Sequence, residues 1–465
     1  MSAPPSERQN TLRSTREPDA RVPGPGTPPA TLSTPATSGR PAAGQRSLLL
    51  AALLSGALST LVALAGVGVP ATQNAAAAVD EPQYLLSAIS LVEDGDLDIS
   101  DERVQGRARP FHPGPLPVQT AVQSDGGRIS PHDPLLPLML APAVAVAPAL
   151  GLPAWVGAKA LMALLGGAVA AATVWLLVTR WEVRPVLAGA VAVAAGVSPP
   201  LAVYGHQVYP EIAAALAVLV AVGAIVPPHR PGERSAPHTV AAGAARRAVR
   251  PAVLVLAVSA LPWLAAKYTL VAAALAAVGL LRMARASRRL AAVTAAALAL
   301  SAVGWLVVHR LVYGGWTAYA AGDHFQSRGE FSAVGFDPDL LGRSTRWVAL
   351  FVDQGYGLVA WQPAWLLVVP AVGLLWGLTR PVRSGAPAPG RSRGGGATSP
   401  PRSLPALLAP LAAGLLTAVY VALTMHGFWW PGRQVVVVLP LAAMLIALAL
   451  SHPALPHRRR WATGA

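Results

Sequence analysis

The amino-acid sequence predicts an all-α polytopic membrane protein with about ten transmembrane helices plus one re-entrant or interfacial helix. Three observations carry that expectation. The 465 residues are 54% hydrophobic and only 12% charged, against roughly 25% charged in a soluble globular chain. Apolar runs recur along the chain, each near the roughly 20 residues needed to cross a bilayer. Arginine gathers in the polar segments on one side of those runs, as the positive-inside rule requires. With no Cys, disulfides and thiolate chemistry are excluded, and any active site must use oxygen and nitrogen groups.

Residues 1–46 are rich in Pro, Ser, Thr, Gly and Arg and predict a disordered cytoplasmic tail, since they hold too little apolar surface to offset ordering entropy. Leu48 to Val69 is too long, and too far from the first residue, for a secretory signal and predicts a first span. Further runs at about 155–179, 186–203, 210–227, 251–266, 268–282, 290–312, 355–379, 404–425 and 434–451 bring the number of spans to ten. The run 135–152 is interrupted by Pro137, Pro142 and Pro148 and ends before Pro153, each lacking a backbone donor. If that run dips in and returns, one side receives 25 basic residues against 5 acidic, and the remainder has 11 basic and 16 acidic. A full eleventh crossing would place most of those arginines outside, so 135–152 reads as re-entrant. The net charge of +15 therefore reports orientation, with both termini cytoplasmic, and not affinity for nucleic acid.

The resulting organisation is a tail at 1–46, a transmembrane domain at 47–451 and a cytoplasmic tail at 452–465. Extracytoplasmic loops fall at 70–134 and 313–354, and basic cytoplasmic loops at 228–250 and 380–403. The first external loop holds 10 of the 21 acidic residues. Within it, Asp80-Glu81-Pro82 opens a stretch from Gln83 to Val92 with apolar residues at helical spacing. Asp80 reads as an N-cap, Pro82 fits the first turn and Gly95 ends the helix. The face of Leu85, Ala88, Ile89 and Val92 suits a helix lying on the membrane surface. Asp94, Asp96 and Asp98 alternate as in part of a calcium loop, but the Gly and terminal Glu spacing of that loop is missing.

Other polar residues stand where ionisable groups are costly. Lys267 with Tyr268 occupies the tip of a short hairpin, and Glu211 starts a span after Gly205-His206-Gln207-Val208-Tyr209-Pro210. The chain has two lysines, Lys159 and Lys267, neither in a cytoplasmic loop. A lysine at a membrane turn supplies a compact point charge for phosphate, or simply snorkels. Arg433 follows Trp429-Trp430-Pro431-Gly432 at the outer start of the last span. The two Trp read as interfacial anchors, whereas an outward Arg runs against the charge asymmetry. Arg343, Arg346 and Asp353 form a further polar group, and His112, His132 and His206 lack the pairing of a zinc motif.

Several of these segments together resemble the GT-C superfamily of polytopic glycosyltransferases, related to protein mannosyltransferases and 4-amino-arabinose transferases. They are Asp80-Glu-Pro-x-Tyr-Leu-x-x-Ala-x-Ser-Leu, then Asp94-Gly-Asp-Leu-Asp, Ser130-Pro-His-Asp-Pro134, and Ser198-Pro-Pro200 through Tyr209-Pro-Glu211. Asp353-Gln-Gly-Tyr-Gly-Leu358 and Trp430-Pro-Gly-Arg433 are similar to later parts of bacterial members. The resemblance covers most of 47–451 in order and topology. It implies a GT-C-like fold in a bacterial-type plasma membrane, and transfer of a sugar from a polyprenyl-phosphate donor to a glycan, lipid or protein acceptor. Asp80 matches the loop acid and becomes the general base, with Glu81 as neighbour or alternative. Lys267 and Arg433 match by position and charge as holders of the lipid phosphate, with His206, Tyr209, Glu211 and Arg346 as further substrate-binding residues.

No second, soluble acceptor-binding domain is identifiable, which leaves the acceptor open. One carboxylate near the acceptor and cations near the leaving phosphate suffice for this chemistry. A divalent metal on Asp80 and Glu81 is compatible with it and not required by it. The competing readings are a transporter or flippase for a lipid-linked or small solute, and a non-catalytic membrane scaffold. Against transport, no internal repeat is visible and the ionisable residues gather outside mid-span.

Overall fold

The computed structural model describes residues 40–70, 74–119, 122–228, 240–321, 340–378, 403–422 and 430–452. Most of the expected tails, the centres of the loops 228–250, 313–354 and 380–403, and Trp429 lie outside the described residues. The chain separates into Met1–Ala43 and Gly44–Ala465, and all that follows concerns the second unit.

In chain order the helices are α1 (Gly44–Gly66), α2 (Glu81–Glu93), α3 (Ser100–Val104), α4 (Leu135–Val146), α5 (Ala154–Trp181) and α6 (Pro185–Gly196). Next come α7 (Leu201–Tyr204), α8 (Pro210–Ile225), α9 (Val249–Leu264), α10 (Thr269–Ala286) and α11 (Arg288–Tyr313). The C-terminal part holds α12 (Leu340–Arg343), α13 (Arg346–Val352), α14 (Leu358–Trp361), α15 (Val368–Gly377), α16 (Pro405–Leu416) and α17 (Leu439–Ser451). Among the described residues the one β pairing is an isolated bridge between Asp98 and Ile129.

Among the described residues, five helical segments are long and apolar enough to cross a membrane: Gly44–Gly66, Ala154–Trp181, Ala266–Ala286, Arg288–Tyr313 and Arg433–Ser451. A further six apolar helices among the described residues are shorter, at 10–17 residues. Proline sets several of the short lengths. Pro185, Pro210 and Pro405 open α6, α8 and α16, where the missing N–H is harmless. The run 355–379 is not one helix. It divides into α14, a 3-10 turn opened by Pro363, and α15, because proline cannot join the preceding hydrogen-bond ladder.

The apolar side chains sort into two environments. Val436, Leu441, Met444 and Leu445 of the final segment are buried at the centre. Leu53 of α1 and Leu300 and Leu311 of α11 are 69%, 73% and 78% exposed, as side chains turned toward lipid would be. Large exposed aliphatics on long helices identify a helical membrane protein, for in water such surface would be buried. Glycine permits the close crossing of α1 and α5. A Cβ on Gly167 would lie 2.6 Å from the Gly56 carbonyl oxygen, the small-residue contact by which helices pack without a hydrophobic drive.

The first external segment forms its expected helix, but not on the surface. Every residue from Glu81 to Ser90 is buried, because α4 lies against α2 and packs Leu136, Leu140 and Val144 into the same core. Gly95 ends the turn at φ +81 with its N–H on the Ser90 carbonyl, the left-handed stop that glycine adopts without a Cβ penalty. Asp80 occupies the N-cap position, yet its carboxylate caps nothing.

Candidate functional site

Asp80 instead faces the far end of the chain. Its Oδ2 accepts from Arg433 Nη1 at 3.0 Å. The same guanidinium donates through Nε to Glu211 Oε1 at 2.9 Å. Lys267 Nζ donates to that oxygen at 2.9 Å and to Gln434 Oε1 at 3.0 Å. Four separate elements therefore meet in one chain of alternating charge: Asp80, Arg433, Glu211, Lys267.

Local backbone geometry places each member. Tyr209 is extended and Pro210 opens α8, so Glu211 falls in the first helical turn, where exposed N–H dipoles favour a carboxylate. Gly432 at φ +84 turns the chain so that Arg433 enters the core at the start of the buried final segment. A Cβ there would come within 2.9 Å of Leu358 Cδ1. The Gly432 N–H bonds the Tyr356 carbonyl, joining the 353–358 and 430–433 segments. Lys267 sits in a single 3-10 turn, Ala266–Tyr268, before α10.

Aromatic rings wall this charge chain. The Arg433 guanidinium lies 4.1 Å from the Tyr209 ring centroid, and Lys267 Nζ lies 5.2 Å from that of Tyr268, both at cation–π range. Tyr84 stacks on His132 at 4.5 Å and meets Tyr209 edge-on at 6.4 Å. Burial pushes the His132 imidazole below its usual pKa, so it stays neutral near pH 7. Three buried polar atoms here have no hydrogen-bond partner: Glu211 Oε2, Tyr268 Oη and His132 Nε2. Buried polar atoms are rarely left so unless water or a ligand completes them.

Glu81 behaves differently from its neighbour. Its oxygens accept from the Ala78 N–H at 3.0 Å and the Val208 N–H at 2.8 Å, and Lys159 Nζ stands 3.6 Å away. Burial pushes its carboxyl upward, partly countered by Lys159. Lys159 also donates to the Ala76 carbonyl, so this pair pins residues 76–81 to α5 and to the turn before α8. A divalent metal shared by Asp80 and Glu81 does not fit, because Asp80 faces a guanidinium and both Glu81 oxygens hold backbone donors.

Of the residues singled out from the sequence, Asp80, Glu211, Lys267, Arg433 and Tyr209 converge. His206 stands apart: Nδ1 pairs with the Ala202 carbonyl and the ring fills the space over Gly66. Arg346 donates to the Val419 and Ala422 carbonyls and Arg343 to Tyr420, closing the π-helical end Thr417–Val421 that follows α16. Asp353 accepts from the Gly355 and Tyr356 N–H groups in a local turn. These hydrogen bonds all go to backbone groups.

Two contacts escaped sequence reasoning. Gln434 is an ordinary amide in a valine run, with no pattern to mark it. Asp133 accepts from the Ala266 N–H at 2.8 Å through Oδ2 and pairs with His309 Nε2 at 2.8 Å through Oδ1. It thereby fixes the turn that presents Lys267. The signal was a histidine, His309, inside a long apolar helix, and it requires the fold to find its partner. No protein-family model matches the chain, and no match was found among curated proteins or solved structures.

Proposed function

We propose that this chain is a membrane glycosyltransferase that moves a sugar from a polyprenyl-phosphate donor to an acceptor on the extracytoplasmic face. The observation that carries the reading is the Arg433 guanidinium held between Asp80 and Glu211, with Lys267 on the same glutamate. A phosphate arriving beside Arg433 and Lys267 competes with the two carboxylates for these cations. As Arg433 turns to the phosphate, Asp80 is freed to accept the acceptor's O–H or N–H proton. The acceptor atom then bonds the anomeric carbon while the sugar–phosphate C–O bond breaks. Its electron pair goes to the phosphate oxygen, where the two cations stabilise the charge. Such in-line displacement inverts the anomeric centre.

The GT-C-like resemblance of the external-loop acid supports the assignment of Asp80, as do the orphaned Glu211 Oε2, Tyr268 Oη and His132 Nε2, which offer contacts to a polar sugar. In this reading the apolar helices form ten spans with both termini cytoplasmic, and α4 dips and returns. The chain lacks Cys, so single introduced cysteines map this directly. Label reaching residue 240 from outside would overturn the topology.

The deciding experiment compares wild type with Asp80→Asn in transfer from a polyprenyl-phosphate sugar, alongside a lipid-linked sugar profile of cells with and without the protein. Loss of transfer with normal membrane insertion is expected. Undiminished turnover by Asp80→Asn would remove it as base. A transport reading draws on the same buried ion chain and is separated by uptake into vesicles, which a transferase does not support.

A further inference from the structure

The loop between α2 and α3 carries a second set of acids, at the opposite end of α2 from Asp80. Asp96 and Asp98, the residues that resemble a calcium loop, are occupied by their own backbone. Asp96 Oδ1 accepts from the Asp98 N–H at 2.9 Å. Asp98 Oδ1 accepts from the Ser100 N–H, the Ser100 hydroxyl and the Arg128 N–H. Folding the loop this way brings a different trio together. Oxygens of Asp94, Asp101 and Glu102 all lie within 4.8 Å of one another.

Glu102 makes this trio more than a patch of surface acids. The residue is 1% exposed, and no hydrogen-bond donor reaches either carboxylate oxygen. Asp94 and Asp101 are exposed and open the trio to solvent. The nearby cations are turned elsewhere: Arg103 donates to the Leu116 and Pro117 carbonyls, and Arg107 pairs with Glu93. Gln105 supplies one amide N–H to Asp101 Oδ2 at 3.2 Å. Three carboxyl groups are thus drawn together, and burial with the Asp101 carboxyl beside it pushes the Glu102 carboxyl up to about 8, so the arrangement persists with either a shared proton or a bound cation.

We propose that Asp94, Asp101 and Glu102 bind one calcium ion. All three offer hard oxygen ligands close enough to share one ion, and a set of carboxylates with flexible geometry suits calcium, whereas magnesium demands a near-ideal octahedron and gives up its waters reluctantly. Water at the exposed side completes the remaining coordination. The ion ties Asp94, at the end of α2, to α3. It therefore fixes the far end of the helix that begins beside Asp80. This binding is independent of whether the chain transfers sugars.

The test uses the full chain, purified in detergent and stripped with chelator, in equilibrium dialysis against radioactive calcium. Wild type is expected to bind calcium with a Kd of about 10⁻⁴–10⁻³ M, the range of extracellular calcium modules, and magnesium at least tenfold more weakly. Asp94→Asn and Glu102→Gln should each lower calcium affinity about tenfold. Calcium should also slow amide hydrogen exchange in Ser100–Val104 of wild type. If Glu102→Gln does not fold, Asp94→Asn decides, since its exposed side chain is not needed for packing. Absence of saturable binding by wild type, or unchanged affinity in Asp94→Asn, overturns the site and leaves a shared proton between Asp101 and Glu102.

Discussion

Asp133 grips His309 at 2.8 Å while its other oxygen holds the Ala266 N–H at the same distance. One carboxylate thus ties the segment before α4 to both α11 and the Lys267 turn. His309 is fully buried and walled by Trp305, Trp263 and Tyr313. Asp133→Ala leaves the buried His309 Nε2 and a backbone donor unanswered, and unsatisfied groups of this kind cost about 1–3 kcal/mol each. A lowered Tm in detergent is expected, with donor affinity reduced through a misplaced Lys267. Asp133→Asn, which keeps an acceptor for Ala266, should lose less; equal loss would show that the charge matters more than the hydrogen bond.

The Asp80–Arg433–Glu211 bridge is nearly excluded from solvent. Removing one member of a buried ion pair leaves an uncompensated charge and costs about 3–5 kcal/mol. Arg433→Met is expected to destabilise by that order in chemical or thermal unfolding. Arg433→Lys should rescue only part of it, because one ammonium cannot present the Nε and Nη1 donors to two carboxylates at once. Full rescue by lysine would contradict the bidentate role.

Gly432→Ala tests the backbone that delivers Arg433. The φ of +84 and the 2.9 Å approach to Leu358 together should cost on the order of 1–3 kcal/mol. Transfer activity is expected to fall further than stability does, since Arg433 moves with the turn. A variant of unchanged Tm and activity would show that the turn relaxes freely.

The external loop carries a clear pH signature at Asp98. Burial raises its carboxyl, but hydrogen bonds from the Ser100 hydroxyl and from the Arg128 and Ser100 N–H groups outweigh that and hold it below the usual 3.8. A depressed carboxyl contributes stability that is present above its unfolded pKa and lost as pH falls through the folded one. Relative to their intrinsic rates, the amides of Ser100 and Arg128 should therefore exchange faster below about pH 4. Asp98→Ala should show that faster exchange already at neutral pH; a profile identical to wild type would dismiss the link.

How much of this was legible in the sequence depends on range. Local signals worked in part: apolar runs marked helical segments, although 355–379 divides at Pro363, and Asp80-Glu-Pro with Gly95 gave the bounds of α2. Charge placement singled out Glu211, Lys267 and Arg433, because ionisable groups in an apolar chain are costly enough to need a reason. What failed was partner choice. Asp80 and Arg433 are 353 positions apart, and nothing local distinguishes an acid that caps its own helix from one that meets a distant guanidinium. Glu81 looked equivalent to Asp80, yet successive positions on a helix point about 100° apart, so one faces the charge chain and the other Lys159. Surface placement of α2 failed for a related reason. The proline-rich α4 packs against it, and a hydrophobic face does not say what will cover it.

The scarcity of lysine has a practical corollary. Besides the chain's α-amine, the amines are Lys159 and Lys267, with side chains 2% and 17% exposed. Acylating reagents that react with amines should therefore modify Lys267 in preference to Lys159. Its ammonium must leave Glu211 and Gln434 to become nucleophilic. The acylation rate at this one position is thus a chemical clock for how often the ion chain opens, and any molecule that engages the two cations would slow it, whether or not its turnover can be measured.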